Sequence, residues 1–220
     1  NVSVLGNLKF DAQPDPAMLV RGGTWRAASS RPVVLLASSR EGEEAEFLKQ
    51  IQQAATEGDV QAAVQWLIVP RHPQRFDEVA ALIRAQGLSL SRRSSWDEGR
   101  LPSVNSDIWL GDSLGEMAAY YALADVALLG GSFEPLGGQN LIEAAACGCP
   151  VLMGPHTFNF AEAARLAEGA GAARRVADLA TGITAARALV HDAGAQTAMR
   201  EAALAFAVAH RGAATRTASA

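Results

Sequence analysis

Arg71 stands in a Pro-Arg-His-Pro turn directly after the apolar run VQWLIV, and Glu143 stands in a short Ala-rich segment opened by Gly137 and Gly138. An arginine in a turn offers a planar fork of donors to a phosphate or carboxylate. A glutamate offers two acceptor oxygens, enough to take both hydroxyls of a vicinal diol in charge-assisted hydrogen bonds. Asn140 lies just upstream of Glu143, at what reads as a helix start near Gly138, where unpaired backbone N–H groups favour an anion. Other apolar runs end in similar chemistry. Ser38, Ser39 and Arg40 follow one, Gly111, Asp112, Ser113, Leu114, Gly115 and Glu116 another, and Gly130, Gly131 and Ser132 a third. Gly154, Pro155 and His156 close a fourth, with Asn159 and Phe160 one turn further on. Hydroxyls, arginines, a carboxylate and glycines in these places make up the composition of a nucleotide or sugar-phosphate site.

Each residue also has a plain structural reading. Glu143 alone is an ordinary helix residue, and Arg71 alone could cap a carbonyl. His72, held extended by Pro73, suits a loop. Ser113 suits an N-cap for the helix that carries Glu116, and Asp125 suits a cap or turn. Gly137 and Gly138 suit simple turns. The joint placement of these residues after strand-like runs favours a site.

The elements that would position them follow from hydrophobic spacing. Strands are expected at 32–38, 64–70, 88–94, 107–112, 125–131, 150–155 and 171–176. Helices are expected at 40–58, 73–86, 114–124, 137–148 and 160–170, followed by two Ala-rich helices between 178 and 210 broken near Gly194. Near-continuous apolar strands alternating with helices mean a parallel sheet covered on both faces. The fold class is therefore α/β, a doubly wound Rossmann-like domain, whose ligands sit at the carboxyl ends of the strands.

Composition bounds the partners. A 220-residue chain at 49% hydrophobic suffices for one packed domain, and a net charge of −4 without a basic patch argues against nucleic acid. Cys147 and Cys149 are too close for good disulfide geometry and lack a zinc-ligand cluster, so free thiols in a reducing compartment are expected. There is no 18-residue apolar run and no signal peptide. The chain opens at Asn1, without Met, into VSVLGNL, which suggests the back half of a larger protein. No cage of clustered acids is visible for a metal, so neither metal nor cofactor is expected.

The ordered series GNLKFD, ASSREGEE, VPRHPQRF, WLGDSLGEM, YYALADVALLGGS and GGQNLIEAAACGCPVLMGPHTFNF, from Gly6 to Phe160, resembles the C-terminal half of bacterial 3-deoxy-D-manno-octulosonic acid (Kdo) transferases. The resemblance implies half of a GT-B glycosyltransferase: residues 1–30 as interdomain linker and start of the domain, with GNLKFD at the linker, and 31–220 as the CMP-Kdo binding domain. It implies an inverting transfer of Kdo from CMP-Kdo to lipid IVA at the cytoplasmic face of the inner membrane. The membrane anchor, acceptor site and catalytic base would lie in an N-terminal half outside this chain. The isolated chain would be soluble and inactive in transfer. By position, Arg71 would meet the CMP phosphate with Pro70 near the base. Leu114, Gly115, Glu116 and Met117 would line the cytidine. Asn140, Leu141, Ile142 and Glu143 would place Asn140 by the phosphate and Glu143 on the ribose, with Ser39, Ser132 and Gly138 as secondary contacts. The chain departs from the resemblance at Arg40 and Gln139, where His is frequent, and in NLIEAAA. A UDP-sugar transferase or epimerase and a non-catalytic nucleotide-sugar binding module are the alternatives.

Overall fold

Seven apolar runs form strands β1 (Val33–Ser39), β2 (Gln65–Pro70), β3 (Leu90–Arg92), β4 (Ile108–Leu110), β5 (Val126–Leu129), β6 (Val151–Met153) and β7 (Ala173–Arg175). They make one sheet in the order β3-β4-β2-β1-β5-β6-β7, and every neighbouring pair is parallel. The computed structural model describes residues 13–56, 64–96, 103 and 105–210; the GNLKFD segment lies outside them.

Alternation along the central strand explains the layering. Val33, Leu35 and Ala37 of β1 face one core, with Trp109 and Leu129, while Val34 and Leu36 face the other, with Ile68 and Leu128. Helices α1 (Pro16–Ala27), α4 (Met117–Leu123), α5 (Leu141–Ala146) and α6 (Ala161–Gly169) contribute to the first core. Helices α2 (Glu43–Thr56), α3 (Phe76–Ala85) and α7 (Leu179–His191) contribute to the second, and α8 (Ala193–His210) reaches both, through Phe206 and Met199. The doubly wound α/β expectation holds.

Caps set several boundaries. Asp15 accepts from Ala17 N at 2.9 Å and Pro16 opens α1, a helix absent from the sequence reading. Asn140 accepts from Ile142 N at 3.1 Å, so α5 begins at Leu141 and not near Gly138. Gly148, at φ +67°, ends α5 as expected, with Cys149 N donating to Ala144 O at 2.9 Å.

Asp125 does more than turn the chain. Its carboxylate accepts from Val33 N at 2.7 Å, at the start of β1, and pairs with Arg26 of α1 at 2.8 Å. Gln196 of α8 also reaches its backbone carbonyl at 3.2 Å. One acid thus joins α1, α8, β1 and β5 at the amino edge of the sheet. Asp125→Ala should cost about 2–4 kcal/mol, because it strands a backbone donor and an arginine together. Urea unfolding checks this: the midpoint should fall with an unchanged m value. A loss below about 0.5 kcal/mol, the range of inert surface changes, would contradict it.

Candidate functional site

The chain leaves β1 for β2 on one side and, later, for β5 on the other. The carboxyl ends of β1, β2 and β5 are thus the switch point where open parallel sheets bind ligands. Backbone strain is concentrated there. Ser38 has φ +53°, and the β1–β2 register shifts between Ala37 and Ser39. Gly130 at the end of β5 lies so close that a Cβ on it would meet Ser38 O at 2.4 Å.

Arg71 follows β2, with its backbone N–H donating to Ser39 O at 3.0 Å. Its exposed guanidinium makes no hydrogen bond or ion pair with a described side chain. Its charge is felt by Glu143, on the first turn of α5. No described residue hydrogen-bonds the partly buried Glu143 carboxylate either. Burial pushes this carboxyl above the usual glutamate range, and Arg71 pulls it part of the way back. The structure therefore brings the two sequence-selected charges into one field and leaves both available.

Other sequence-selected residues are differently employed. Ser39 is buried and donates to Glu44 at 2.7 Å. Ser132 is buried, donates to Leu129 O and accepts from Gly154 N at 2.8 Å. Both hydroxyls, expected as secondary contacts, are thus bonded within the protein. Glu116 is buried and taken up by Arg21 at 2.6 Å, Arg93 at 2.8 Å and Ser113, so its carboxylate is structural. Ser113 bonds this carboxylate and Tyr120 Oη instead of capping α4. The Asn140 side chain caps its own helix, and Leu141 and Ile142 are core residues that offer only backbone at this edge. Pro70 is buried at the end of β2, Gly138 is buried with φ +76°, and Met117 Sδ lies 4.0 Å from Ser38 Oγ. Leu114, at 72% exposure, and Gly115, at φ +76°, form an open turn.

The glycines also answer to the protein itself. A Cβ on Gly137 would strike Asn159 Nδ2 at 2.2 Å, and one on Gly154 would strike Ser132 O at 2.3 Å. The loop after β5 is packed against the loop after β6, a tie that residue types alone did not reveal. The sequence reading also passed over Glu43, whose carboxylate accepts from Arg40 N at 2.9 Å, Gly131 N at 2.8 Å and Phe133 N at 3.2 Å. The EGEE run, acidic at the start of a helix, was its available signal. Cys147 and Cys149 are free, and burial pushes the Cys147 thiol up to about 12 and Cys149 higher still.

A cavity of about 250 Å³ is lined by Glu43, Glu46, Glu134, Asp178 and the start of α7, without Arg71 or Glu143. Four acids there would repel a phosphate, so the edge carrying Arg71 and Glu143 is the candidate site. Among the described residues no group of three or more His, Cys, Asp or Glu side chains is arranged to hold a metal.

An all-parallel sheet with helices on both faces and a ligand-ready carboxyl edge is a Rossmann-like domain. No protein-family profile matches the chain. It is 50% identical over 215 residues to the 3-deoxy-D-manno-octulosonic acid transferase of Bordetella pertussis, covering 98% of this chain and 50% of that protein. It is 35% identical to the Haemophilus influenzae transferase of the same name, over 75% of this chain and 38% of that one. The chain thus spans about half the length of the curated relatives it matches, or less. Its fold matches the crystal structure of the C-terminal CMP-Kdo binding domain of WaaA from Acinetobacter baumannii, with a TM-score of 0.77 and 26% identity. That match covers 87% of this chain and 98% of that one. HepE from Anabaena, solved with UDP-glucose, shares the fold at 14% identity and a TM-score of 0.62, over 94% of this chain and 52% of HepE. By sequence the chain belongs with the 3-deoxy-D-manno-octulosonic acid transferases, and by fold it is the counterpart of the C-terminal domain of one of them.

Because burial disfavours the ionised Glu143, the folded chain holds a proton there at higher pH than the unfolded chain does. The ionised carboxylate costs stability above its raised pKa, and that cost fades as pH falls toward the ordinary 4.5. Glu143→Gln should therefore raise the ligand-free Tm at neutral pH and lose the advantage below pH 4.5. A variant less stable than the parent at neutral pH would show that Glu143 supports the fold.

Proposed function

We propose that this chain is the donor-binding half of a Kdo transferase, and that CMP-Kdo binds across the carboxyl edge of the sheet. The observation that carries the reading is the Arg71–Glu143 pair: two opposite charges at the switch point, neither consumed by a hydrogen bond to a described residue. Arg71 takes the single phosphate, and Glu143 accepts the two ribose hydroxyls. The exposed turn at Leu114 and Gly115, with Met117 beside it, faces the cytidine, and Pro70 closes the base side. Asn140, Leu141 and Ile142 contribute through the backbone at the start of α5. The names of the relatives and the 26% identity to a CMP-Kdo binding domain support cytidine as the base and Kdo as the sugar.

In this reading, a hydroxyl of lipid IVA attacks the anomeric carbon of Kdo. A carbon–oxygen bond forms on one face while the bond to the CMP phosphate breaks on the other, so configuration inverts. The hydroxyl proton passes to a base that we assign to the half of the relatives this chain does not cover. CMP departs as a phosphate monoester whose growing negative charge Arg71 meets, a preorganised electrostatic contribution that needs no metal or cofactor. The acceptor site, and attachment at the inner membrane's cytoplasmic face, are assigned to that same other half. Residues 31–220 together with α1 make the donor domain, and the residues before α1 make the link. Among the described residues no helix is long and apolar enough to cross a membrane.

Calorimetry with three ligands tests the assignment. Glu143→Gln should weaken CMP by about 1.5–3 kcal/mol and leave 2′,3′-dideoxy-CMP nearly unchanged, because that ligand has no hydroxyl to lose. Arg71→Ala should weaken CMP and spare cytidine. Equal losses for every ligand would sink the assignment, and UDP binding tighter than CMP would favour a UDP-sugar transferase.

A further inference from the structure

Helix α1 touches the candidate site only through other residues, yet it is clipped to the domain at both edges of the sheet. At the amino edge Arg26 pairs with Asp125 at 2.8 Å. Toward the carboxyl edge Arg21 Nη1 donates to Glu116 Oε1 at 2.6 Å, and Arg93 Nη2 donates to the same oxygen at 2.8 Å. Ser113 Oγ donates to the other oxygen, Oε2, and lies 2.6 Å from Tyr120 Oη. The turn Leu114–Gly115 thus hangs between two residues whose side chains are bonded to each other. The arginines fix where the closing carboxylate sits.

Arg93 is itself held by α1. Its guanidinium lies 4.8 Å from the Trp25 ring centroid, and Trp25 meets Trp96 edge-on at 5.4 Å. Gly22 lets α1 approach α4, since a Cβ there would meet Ala119 O at 2.2 Å. Burial works against ionisation of Glu116, but Arg93, Ser113 and Arg21 together hold its carboxyl below the ordinary range. The charge is therefore kept, and it is shared among Arg21, Arg93 and, at the start of the turn, Ser113.

We propose that α1 sets the shape of the nucleoside-facing turn, with Arg21 and Arg93 as positioning residues that act through Glu116. The proposal rests on the assignment of that turn to cytidine. It makes the first described helix a part of the donor site and not merely of the linker region. Placement of α1 would then tune donor affinity without contact between α1 and the ligand. Arg21 is 44% exposed on its side chain against 9% for Glu116, so its removal leaves a mostly buried carboxylate with one arginine fewer.

The two clips supply the test. On the 220-residue chain, affinities for CMP and cytidine and ligand-free melting temperatures would be measured for the parent, Arg21→Met, Arg21→Lys, Gly22→Ala and Arg26→Met. Arg21→Met should weaken CMP and cytidine by the same factor, roughly 3- to 30-fold, unlike Arg71→Ala, which spares cytidine. Arg21→Lys should restore most of the loss. Gly22→Ala, which must push α1 off α4, should weaken both ligands likewise. Arg26→Met should lower the melting temperature and leave both affinities unchanged. Parent-like affinity in Arg21→Met, or an equal loss in Arg26→Met, would overturn the proposal while the CMP site stood. A parent chain that bound no CMP would overturn the site assignment and this inference together.

Discussion

A buried carboxylate at the carboxyl end of the central strand holds the edge together. Glu43 accepts the backbone N–H groups of Arg40, Gly131 and Phe133, binding the exits of β1 and β5 to the first turn of α2. Glu44, the next residue, performs the matching task on the other side. It accepts Ser39 Oγ at 2.7 Å and Arg75 Nη1 at 2.7 Å, so the exits of β1 and β2 are joined as well. Burial pushes the Glu43 carboxyl upward against the opposing pull of its three donors. A strained Ser38 persists beside it because the surroundings leave it no alternative. These two acids add side-chain ties to the backbone bonds from Arg71 N to Ser39 O at 3.0 Å and from Gly130 N to Ala37 O at 2.8 Å, so the exits that carry Arg71 and lead to Glu143 are held twice over.

The edge is rich in charge, and most of that charge is internally matched. Arg75 is paired with Glu44 and Glu78, and Arg92 with Asp112 and Asp77. Arg93 is paired with Glu116, while Arg175 donates to Gly154 O and Thr157 Oγ1. These groups are fixed in the folded chain, and engaging any of them with a ligand would mean breaking a bond already made. Arg71 and Glu143 are distinguished by what they do not bond. A solvated arginine and a carboxylate pushed up by burial form a poor structural pair and a good receptor for an anion next to a diol.

Hydrophobic spacing made the sheet and its helices legible, because fully buried parallel strands must be apolar on both faces. Helix α1 escaped that reading: Gly22 and Gly23 weaken helix propensity, and Gly22 is explained only by the Ala119 carbonyl it packs against. Arg71 stood out because its turn directly follows a strand, and Glu143 because it lies in the short helix beyond a glycine loop, although that helix starts at Leu141 and not near Gly138. Ser39, Ser132 and Glu116 look equally chemical in the sequence, and only their partners show that they are spent inside the protein. Residue type announces that a group can bond; distance alone says to what. The same limit hid the role of Glu43, whose three donors come from residues 40, 131 and 133.

The carboxyl edge of the sheet thus carries an unspent cation, Arg71, and an unspent anion, Glu143, beside a turn that a distant helix holds in place. A crystal structure of the chain with CMP tests that description most directly. The account predicts the phosphate within hydrogen-bond reach of Arg71, both ribose hydroxyls on the Glu143 carboxylate, and the base against the turn at Leu114 and Gly115. CMP lodged among Glu46, Glu134 and Asp178, or a ribose turned away from Glu143, would contradict it.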